Sequence, residues 1–255
     1  HVGRLVSLLR GVGTLGSVLE IAPSDIVGLR GWWGARFETA YANGAGVTTA
    51  HDQSTSLNNL TGVGSSAPTY STVTTINGLA TFSYDGTDDF LQATGTSGVS
   101  NWSQDPHTIF VVIRPTAVIE EDIFNANPVG NGAALLMLLT DAGSTYFRGH
   151  AWKGASANAI NGTTPKSSGT NYIIAQRYDP SSTIQIWVNG ATENSTTLAG
   201  TTGSGINNIC LGGGTNRTVS RFQGFIAEAL LYTVQLTTAN MGSVFSYLNT
   251  RYAVY

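Results

Sequence analysis

Two adjacent strand-like runs with a short polar break between them place the strongest constraint on the fold of this chain. Residues 171–178 and residues 183–188 both read as strands, and in the second run aliphatic side chains alternate with polar or aromatic ones. A period of two is typical of a strand with one buried face. The Asn189-Gly190 pair that follows accepts positive φ and closes a two-residue hairpin. Antiparallel hairpins of this kind favour a β-sandwich that leaves one strand face open for contact.

Turns rich in Asn, Asp and Gly punctuate most of the chain, and short strand-like runs lie between them. Besides the hairpin, such runs occur at 79–84, 89–93, 107–114, 134–140, 145–152, 206–211 and 222–232. No helical segment separates them, which excludes a βαβ arrangement. The pattern therefore predicts an all-β fold, an antiparallel β-sandwich of the jelly-roll type.

The two ends of the chain differ from this β region. Residues 1–30 are apolar but contain three glycines within six residues, which oppose a stable helix. We expect an extended N-terminal arm there, followed by one sandwich domain over residues 31–255. The arm would either pack on its own domain or dock on a partner subunit. Near the C-terminus, Thr237 or Thr238 can cap a short helix whose apolar residues fall at helical spacing.

Composition narrows the choice of partners. Charged residues make up only 11% of the chain and the net charge is −3, so the surface is built largely from Ser, Thr, Asn and Gly. A surface of this kind suits neutral polymers such as glycans, or burial in an assembly, and argues against nucleic acid. No apolar run reaches the ~18 residues of a membrane span. The single cysteine, Cys210, lies between Ile209 and Leu211 and is predicted to be a buried small hydrophobe.

Four stretches resemble the concanavalin A-like lectin/glucanase superfamily, and specifically its laminin-G-like domains of bacterial and phage type. They are residues 23–33, residues 78–91 with their Asp-Gly turn, the hairpin ending at Gly190, and residues 222–232 running into the terminal helix. The resemblance spans about residues 23–255 and implies the same jelly-roll fold. It leaves function open, because this fold carries lectins, glycosidases, lyases and spacers.

The glycosidases that the chain resembles carry a strand with the pattern Glu-x-Asp-x-x-Glu. The nearest match runs from Glu120 to Asn125, and its final Asn can neither protonate a leaving group nor attack. We therefore interpret this acidic run as a solvated loop. No Gly-x-Ser-x-Gly nucleophile elbow is present, and the four histidines show no pair at metal-ligand spacing. The sequence predicts neither an enzyme nor a cofactor.

An acidic turn offers the one candidate for a cation. Asp85, Asp88 and Asp89 could present oxygens to calcium. Aspartates in such a turn more often accept backbone amides and fix the turn, and this structural role is favoured. The sequence therefore predicts no metal site.

Two sets of strand residues could form a ligand surface, because aromatic rings stack on sugars while planar polar groups take the hydroxyls. We predict one sheet face that carries Arg148, His150, Trp152, Arg177, Gln185 and Trp187. On this prediction, replacing Trp152 or Trp187 by Ala leaves folding intact and abolishes glycan retention. The alternative is that either tryptophan is ordinary hydrophobic cover under loops or the arm, and the sequence leaves both interpretations open.

Three hypotheses for function follow. The first is a non-catalytic virion surface protein, a capsid decoration or fibre type, that uses residues 1–30 to bind a virion protein and its sandwich for adhesion to a cell-surface glycan or for particle stabilisation. The second is a secreted bacterial carbohydrate-binding module, located outside the cell or on its surface. The third is a glycan hydrolase or lyase with an unfamiliar site. A homo-oligomer is compatible with each of them.

Overall fold

A computed structural model describes residues 21–93, 95, 105–119, 121–126, 136–140, 145–153, 156–199, 208–213 and 221–255, with the backbone alone for 136–140, 152–153 and 156–157. In these residues the strands are β1 Leu29–Gly34, β2 Thr49–Ala50, β3 Leu60–Thr61, β4 Thr69–Ile76, β5 Leu79–Asp85, β6 Leu91–Ala93, β7 His107–Pro115, β8 Glu121–Ala126, β9 Leu136–Thr140, β10 Tyr146–Lys153, β11 Ser156–Pro165, β12 Tyr172–Tyr178, β13 Thr183–Val188, β14 Ala191–Thr197, β15 Ile209–Leu211 and β16 Gln223–Tyr232. One α-helix, α1, spans Thr238–Tyr252, and short 3-10 helices span Pro23–Asp25, Ala35–Phe37 and Gly64–Ser66.

The strands form two antiparallel sheets. Sheet A has the order β14-β13-β12-β7-β16-β5-β4, with β1 also paired to β16. Sheet B has the order β11-β10-β9-β8-β15-β6-β3-β2. Each run predicted as a strand overlaps one of these strands. The predicted antiparallel β-sandwich is confirmed.

The main core lies between the two sheets, and sheet A is covered on both faces. In β7, Ile109 and Val111 belong to the core between the sheets, whereas Phe110 and Val112 belong to a second cluster under α1. A strand that is buried on both faces has no polar face to show, which explains its nearly continuous apolar sequence. Only sheet B is therefore left without a helix on its outer face among the described residues.

The C-terminal helix confirms the predicted cap and apolar face. Thr237 is the N-cap, and its hydroxyl accepts a hydrogen bond from the amide of Asn240 at 3.2 Å. The buried helix residues are Met241, Val244, Phe245, Tyr247, Leu248 and Tyr252. They pack on the outer face of sheet A, so the helix closes that face. No helix in the described ranges is long and apolar enough to span a membrane.

Residues 21–30 of the expected arm pack on the sandwich. Ile26 and Leu29 are buried in the cluster under α1, and Leu29 pairs with Tyr232 at the start of β1. The hydroxyl of Tyr232 also donates to the Pro23 carbonyl at 3.2 Å. The expected boundary at residue 30 thus falls inside β1, and residues 1–20 of the arm lie outside the described residues.

The acidic run is not a solvated loop, and that interpretation is wrong. Glu121 and Asp122 belong to β8, in the interior of sheet B, and both are fully buried. The Glu121 carboxylate lies 3.5 Å from the Lys166 ammonium group and accepts the Gln223 amide at 2.9 Å. Burial is possible because these partners, which are remote in sequence, satisfy the carboxylate.

Candidate functional site

A row of side chains crosses the outer face of sheet B. Residues directly opposite each other on adjacent strands point to the same face. The register pairs His150 with Met137, Met137 with Asn125, Asn125 with Cys210, and Cys210 with Gln92. Their neighbours along the strands lie in the core between the sheets, namely Ala151, Ile209 and Leu211. Gln92, Cys210, Asn125 and His150 therefore belong to the opposite, outward face, which we call the sheet B row.

A β-bulge in β8 brings a carboxylate to this row. The register shifts between Asp122 and Phe124, so residues three apart come to the same side of the strand. The Asn125 amide nitrogen donates to an Asp122 carboxylate oxygen at 3.4 Å, and both side chains are fully buried. Without the bulge, strict alternation would place the two residues on opposite faces.

Arg221 lies beside the row, next to Asp122. Its backbone forms a parallel bridge with Asp122, and its guanidinium carbon is 4.8 Å from the centre of the Phe90 ring. A Cβ atom on Gly213 would stand 2.4 Å from Nη1 of Arg221. The guanidinium group therefore occupies the space beside Gly213, and a side chain there would require Arg221 to shift.

Two members of this cluster have polar atoms that are buried and lack a partner within the described part of the chain. They are Oδ1 of Asn125 and the Nε and Nη1 atoms of Arg221. Buried polar atoms in proteins are nearly always hydrogen-bonded. A carbonyl acceptor and guanidinium donors are therefore left with hydrogen-bonding capacity that the described residues do not use.

The thiol of Cys210 in the sheet B row is not an activated nucleophile. Burial raises the pKa of the Cys210 thiol well above its usual value, although the positive charge of Arg221 acts in the opposite direction. The thiol therefore stays protonated, and the predicted buried small hydrophobe is confirmed. Glycoside hydrolysis uses two carboxyl groups. Asp122 contacts Asn125 of the row, whereas Glu121 is engaged with Lys166.

Three of the six residues predicted for the ligand surface lie on β10. Arg148 and His150 are half-buried, and they alternate with the core residues Phe147 and Ala151, so they face outward beside the sheet B row. The His150 amide donates to Oε1 of Gln176, which belongs to the facing sheet. The backbone of Trp152 continues β10, whereas its side chain lies outside the described residues.

The other three residues do not share that face, which corrects the prediction of a single surface. Arg177 and Gln185 lie on β12 and β13 of sheet A, whose outer face points away from that of sheet B. The Nε atom of Arg177 donates to Gln185 at 2.9 Å, and Nη1 donates to the Leu236 carbonyl at 2.9 Å. Arg177 thus holds the segment that leads into α1.

Trp187 is covered rather than presented to a ligand. It is 7% exposed and belongs to the cluster under α1, where its ring stacks on Phe245. The alternative that the sequence left open, hydrophobic cover, therefore describes Trp187. The cover is supplied by the C-terminal helix instead of a loop or the N-terminal arm.

The aspartates of the 85–89 turn bind the turn itself. Asp89 accepts the Asp85 amide at 2.8 Å, Asp85 accepts the Thr87 amide at 2.7 Å, and Asp88 accepts the Ser66 hydroxyl at 3.0 Å. Burial raises the pKa of Asp89 to about 6. The carboxylates lie close enough together for a cation, but these hydrogen bonds fit the favoured turn-fixing role.

The sequence did not reveal Asp122, Asn125 and Arg221 as members of one cluster. The Glu-x-Asp-x-x pattern marked the right strand, but it gave no sign of the bulge that turns Asp122 and Asn125 to one side. Nothing in the sequence near Arg221 links it to residues about one hundred positions earlier. The Gly-rich stretch after Cys210 is the one local signal, because Gly213 gives the guanidinium its space.

Comparison with solved structures gives the same fold in several binding domains. The binding domain of Paraclostridial Mosquitocidal Protein 1 is 16% identical with a TM-score of 0.63, over 89% of this chain and 54% of that chain. The binding domain of botulinum neurotoxin serotype G is 13% identical with a TM-score of 0.63, over 87% of this chain and 51% of that one. This chain thus spans about half the length of these two toxin domains. At such low identity the likeness concerns the fold alone.

A third similar structure matches over almost its whole length. Domain 4 of AbnA, a GH43 extracellular arabinanase from Geobacillus stearothermophilus solved in complex with arabinotriose, is 14% identical with a TM-score of 0.58. The match covers 85% of this chain and 98% of that one. No match is found among curated protein sequences.

The family comparison agrees with the fold. The profile described as the concanavalin A-like lectin/glucanases superfamily matches residues 85–241, from the acidic turn to the first turn of α1. This region contains β7 to β16 and therefore most of both sheets. The chain belongs to the concanavalin A-like lectin/glucanases superfamily.

Proposed function

We propose that this protein is a non-catalytic carbohydrate-binding sandwich whose ligand surface is the outer face of sheet B. The observation that carries the proposal is the unused hydrogen-bonding capacity of two residues, the fully buried Asn125 and the half-buried Arg221, which a glycan would use once the row is accessible to it. Gln92 and His150 extend the polar row on either side of Asn125. Amide, imidazole and guanidinium groups in one row suit the hydroxyls of a glycan.

An energetic argument supports a ligand at this place. A buried polar group without a partner costs about 1–3 kcal/mol of folding free energy. Such a group is retained where a ligand restores the missing hydrogen bond, since functional sites are where local rules of folding are broken. The outer face of sheet A offers no comparable row, because α1 covers its centre.

For the biological setting we propose a virion surface protein, of the capsid decoration or fibre type, that uses the sandwich for adhesion or particle stabilisation. The low charge and the resemblance to phage-type laminin-G-like domains support this proposal. Attachment to the virion would use the apolar segment within residues 1–30. Deletion of residues 1–20, which spares β1, should leave the sandwich folded and stop its incorporation into particles. Incorporation of the shortened chain would refute this attachment.

The second candidate is a secreted bacterial carbohydrate-binding module. It is favoured by the match to domain 4 of an extracellular arabinanase, which was solved with arabinotriose and which this chain covers almost completely. Both candidates use the same sandwich for glycan binding. Particle association separates them, because only the virion protein should copurify with particles.

A glycan array probed with the full chain and with Asn125→Leu tests the binding proposal. Leu removes both the unpartnered carbonyl oxygen and the amide donor to Asp122 at similar volume, so we expect a loss of glycan binding together with a loss of about 1–3 kcal/mol in stability. Asn240→Leu, on α1, is the matched control and should bind as the unchanged protein does. If no glycan binds the unchanged protein, or if Asn125→Leu binds normally, the proposal fails.

A further inference from the structure

A groove on the opposite side of the sandwich lies between α1 and the turn that joins β13 to β14. Its volume is about 590 Å³. This value is within the range of about 300–1,000 Å³ that is usual for small-molecule sites. The turn contributes Asn189 and Gly190, and the helix contributes Gly242, Ser246 and Thr250. The groove is separate from the sheet B row, since it lies on the side of sheet A that α1 covers.

The lining of this groove is uncharged and rich in free polar groups. None of its nine lining residues is Asp, Glu, Lys, Arg or His. Asn189 uses its Oδ1 atom to accept the Ile173 amide at 2.9 Å, which leaves its Nδ2 donors unused. Hydroxyls of Ser246, Thr250 and Tyr255 also line the groove. Amide and hydroxyl groups without net charge match the hydroxyls of a neutral sugar.

An aromatic wall complements these polar groups. Tyr255 is 54% exposed, and its hydroxyl oxygen lies 2.7 Å from the position that a Cβ atom on Gly190 would take. The turn glycine therefore lets the ring stand close to the hairpin. Phe245 forms the floor, and it is held from behind by Trp187. An exposed ring over a rigid aromatic floor offers a surface for the C–H face of a sugar.

Gly242 provides an independent reason to expect a ligand. It lies inside α1, where Gly costs about 1 kcal/mol relative to Ala. A Cβ atom added to Gly242 would meet nothing within 4 Å, so no protein packing requires the glycine. A position that is open on the groove side and lacks a side chain lets a ligand approach the helix backbone closely.

We infer that this groove binds a neutral saccharide as a second carbohydrate site, with Tyr255 as the stacking platform and Asn189 and Ser246 as hydrogen-bonding groups. A bound sugar would lie along α1 over Gly242. The inference does not depend on the sheet B row, because the two sites share no residue. Together they would make the sandwich bivalent for glycans.

The test uses the full chain and an array of neutral and acidic oligosaccharides, followed by titration calorimetry with the neutral sugars that bind. Gly242→Arg fills the groove with a good helix former, and Tyr255→Ala removes the platform. Each should weaken binding of a neutral sugar about five- to tenfold or more, as expected for the loss of one stacking contact. Asn240→Leu, which lies on α1 outside the groove lining, is the matched control and should keep the affinity.

The Asn125→Leu variant distinguishes sugar binding at the groove from sugar binding at the sheet B row. Neutral-sugar binding that survives Asn125→Leu but falls in Gly242→Arg and Tyr255→Ala supports the groove. Binding that is lost in Asn125→Leu and unchanged in both groove variants overturns the inference and leaves the proposed function standing. Binding of acidic sugars alone at the groove, or a complete absence of sugar binding, also overturns it, and the complete absence removes the proposed function as well.

Discussion

The indole of Trp187 stacks on the ring of Phe245, with the ring centroids 6.1 Å apart and the ring planes at 29°. This contact joins β13 to the C-terminal helix across the outer face of sheet A. The face of β13 that carries Trp187 is therefore a packing surface for α1. Trp187, one of the two tryptophans predicted from sequence to stack on a sugar, is therefore part of the hydrophobic structure.

Replacement of Trp187 by Ala should destabilise the fold. A buried Trp→Ala change costs about 3–5 kcal/mol, because it removes apolar contacts and leaves a cavity under α1. Urea unfolding monitored by circular dichroism measures this loss. Trp187→Phe is the control: it keeps a ring against Phe245 and removes the unpartnered indole N–H, so its cost should be smaller. A stable Trp187→Ala protein that no longer binds glycan would instead support the surface predicted from sequence.

Glu228 lies beside the cluster under α1, and we expect its replacement to lower the stability of the fold more than the replacement of any of its hydrogen-bond partners. Its buried carboxylate accepts from Trp32 Nε1 at 2.6 Å, Arg36 Nε at 3.0 Å, Tyr247 Oη at 3.1 Å and Tyr252 Oη at 2.7 Å. Glu228→Gln replaces one acceptor oxygen by an NH2 group, which then faces two of these donors. We therefore expect a loss of about 3 kcal/mol in the free energy of unfolding. Tyr252→Phe removes one donor and should cost about 1 kcal/mol. Equal stabilities of the two variants would contradict the prediction that Glu228 is the common acceptor on which these four hydrogen bonds depend.

Strands with apolar alternation could be predicted from the sequence, and polar strands could not. β13 carries buried aliphatic residues at every second position, and β12 begins with a continuous buried apolar run, so both patterns are visible locally. β14 reads Ala-Thr-Glu-Asn-Ser-Thr-Thr and has no buried residue. Its strand state comes from pairing with β13 and from Glu193, which accepts hydrogen bonds from Thr163 and Thr164 of the other sheet. Contacts of this kind depend on residues far away in the chain, so they produce no periodic pattern from which β14 could be predicted.

The candidate site was harder to predict than the fold for a related reason. Alternation correctly placed Arg148 and His150 on one face of β10, but it could not tell which sheet would contain Arg177 and Gln185. That assignment depends on strand order, which is a property of the whole chain. The burial of Asp122 likewise depends on a bulge and on distant partners.

The buried ion pair between Glu121 and Lys166 should make stability depend on pH. Burial raises the pKa of Glu121 from 4.5 to about 7, although Lys166 draws it down in part. Because the folded pKa exceeds the unfolded one, this group contributes most to stability below about pH 4.5, and the contribution is lost as the pH rises to about 7. The total change is on the order of 3 kcal/mol.

A double variant, Glu121→Gln with Lys166→Met, measures this dependence. Gln keeps the oxygen that accepts the Gln223 amide, and Met keeps the aliphatic stem of Lys166. The unfolding free energy of the unchanged protein, relative to the double variant, should fall between pH 4.5 and pH 7. A difference that is constant over this interval would show that Glu121 ionises with its ordinary pKa.

The thiol of Cys210 should be unreactive toward alkylating reagents in the folded protein. It is 2% exposed, and burial holds the pKa of its thiol well above the usual value. Because the thiolate is the reactive form, iodoacetamide at pH 8 should label Cys210 only after unfolding in urea. Mass spectrometry of samples labelled with and without urea measures the difference. Labelling without urea at the rate of a free thiol would mean that the sheet B row opens to solvent, and the buried, unpartnered state of Asn125 beside it would then no longer hold.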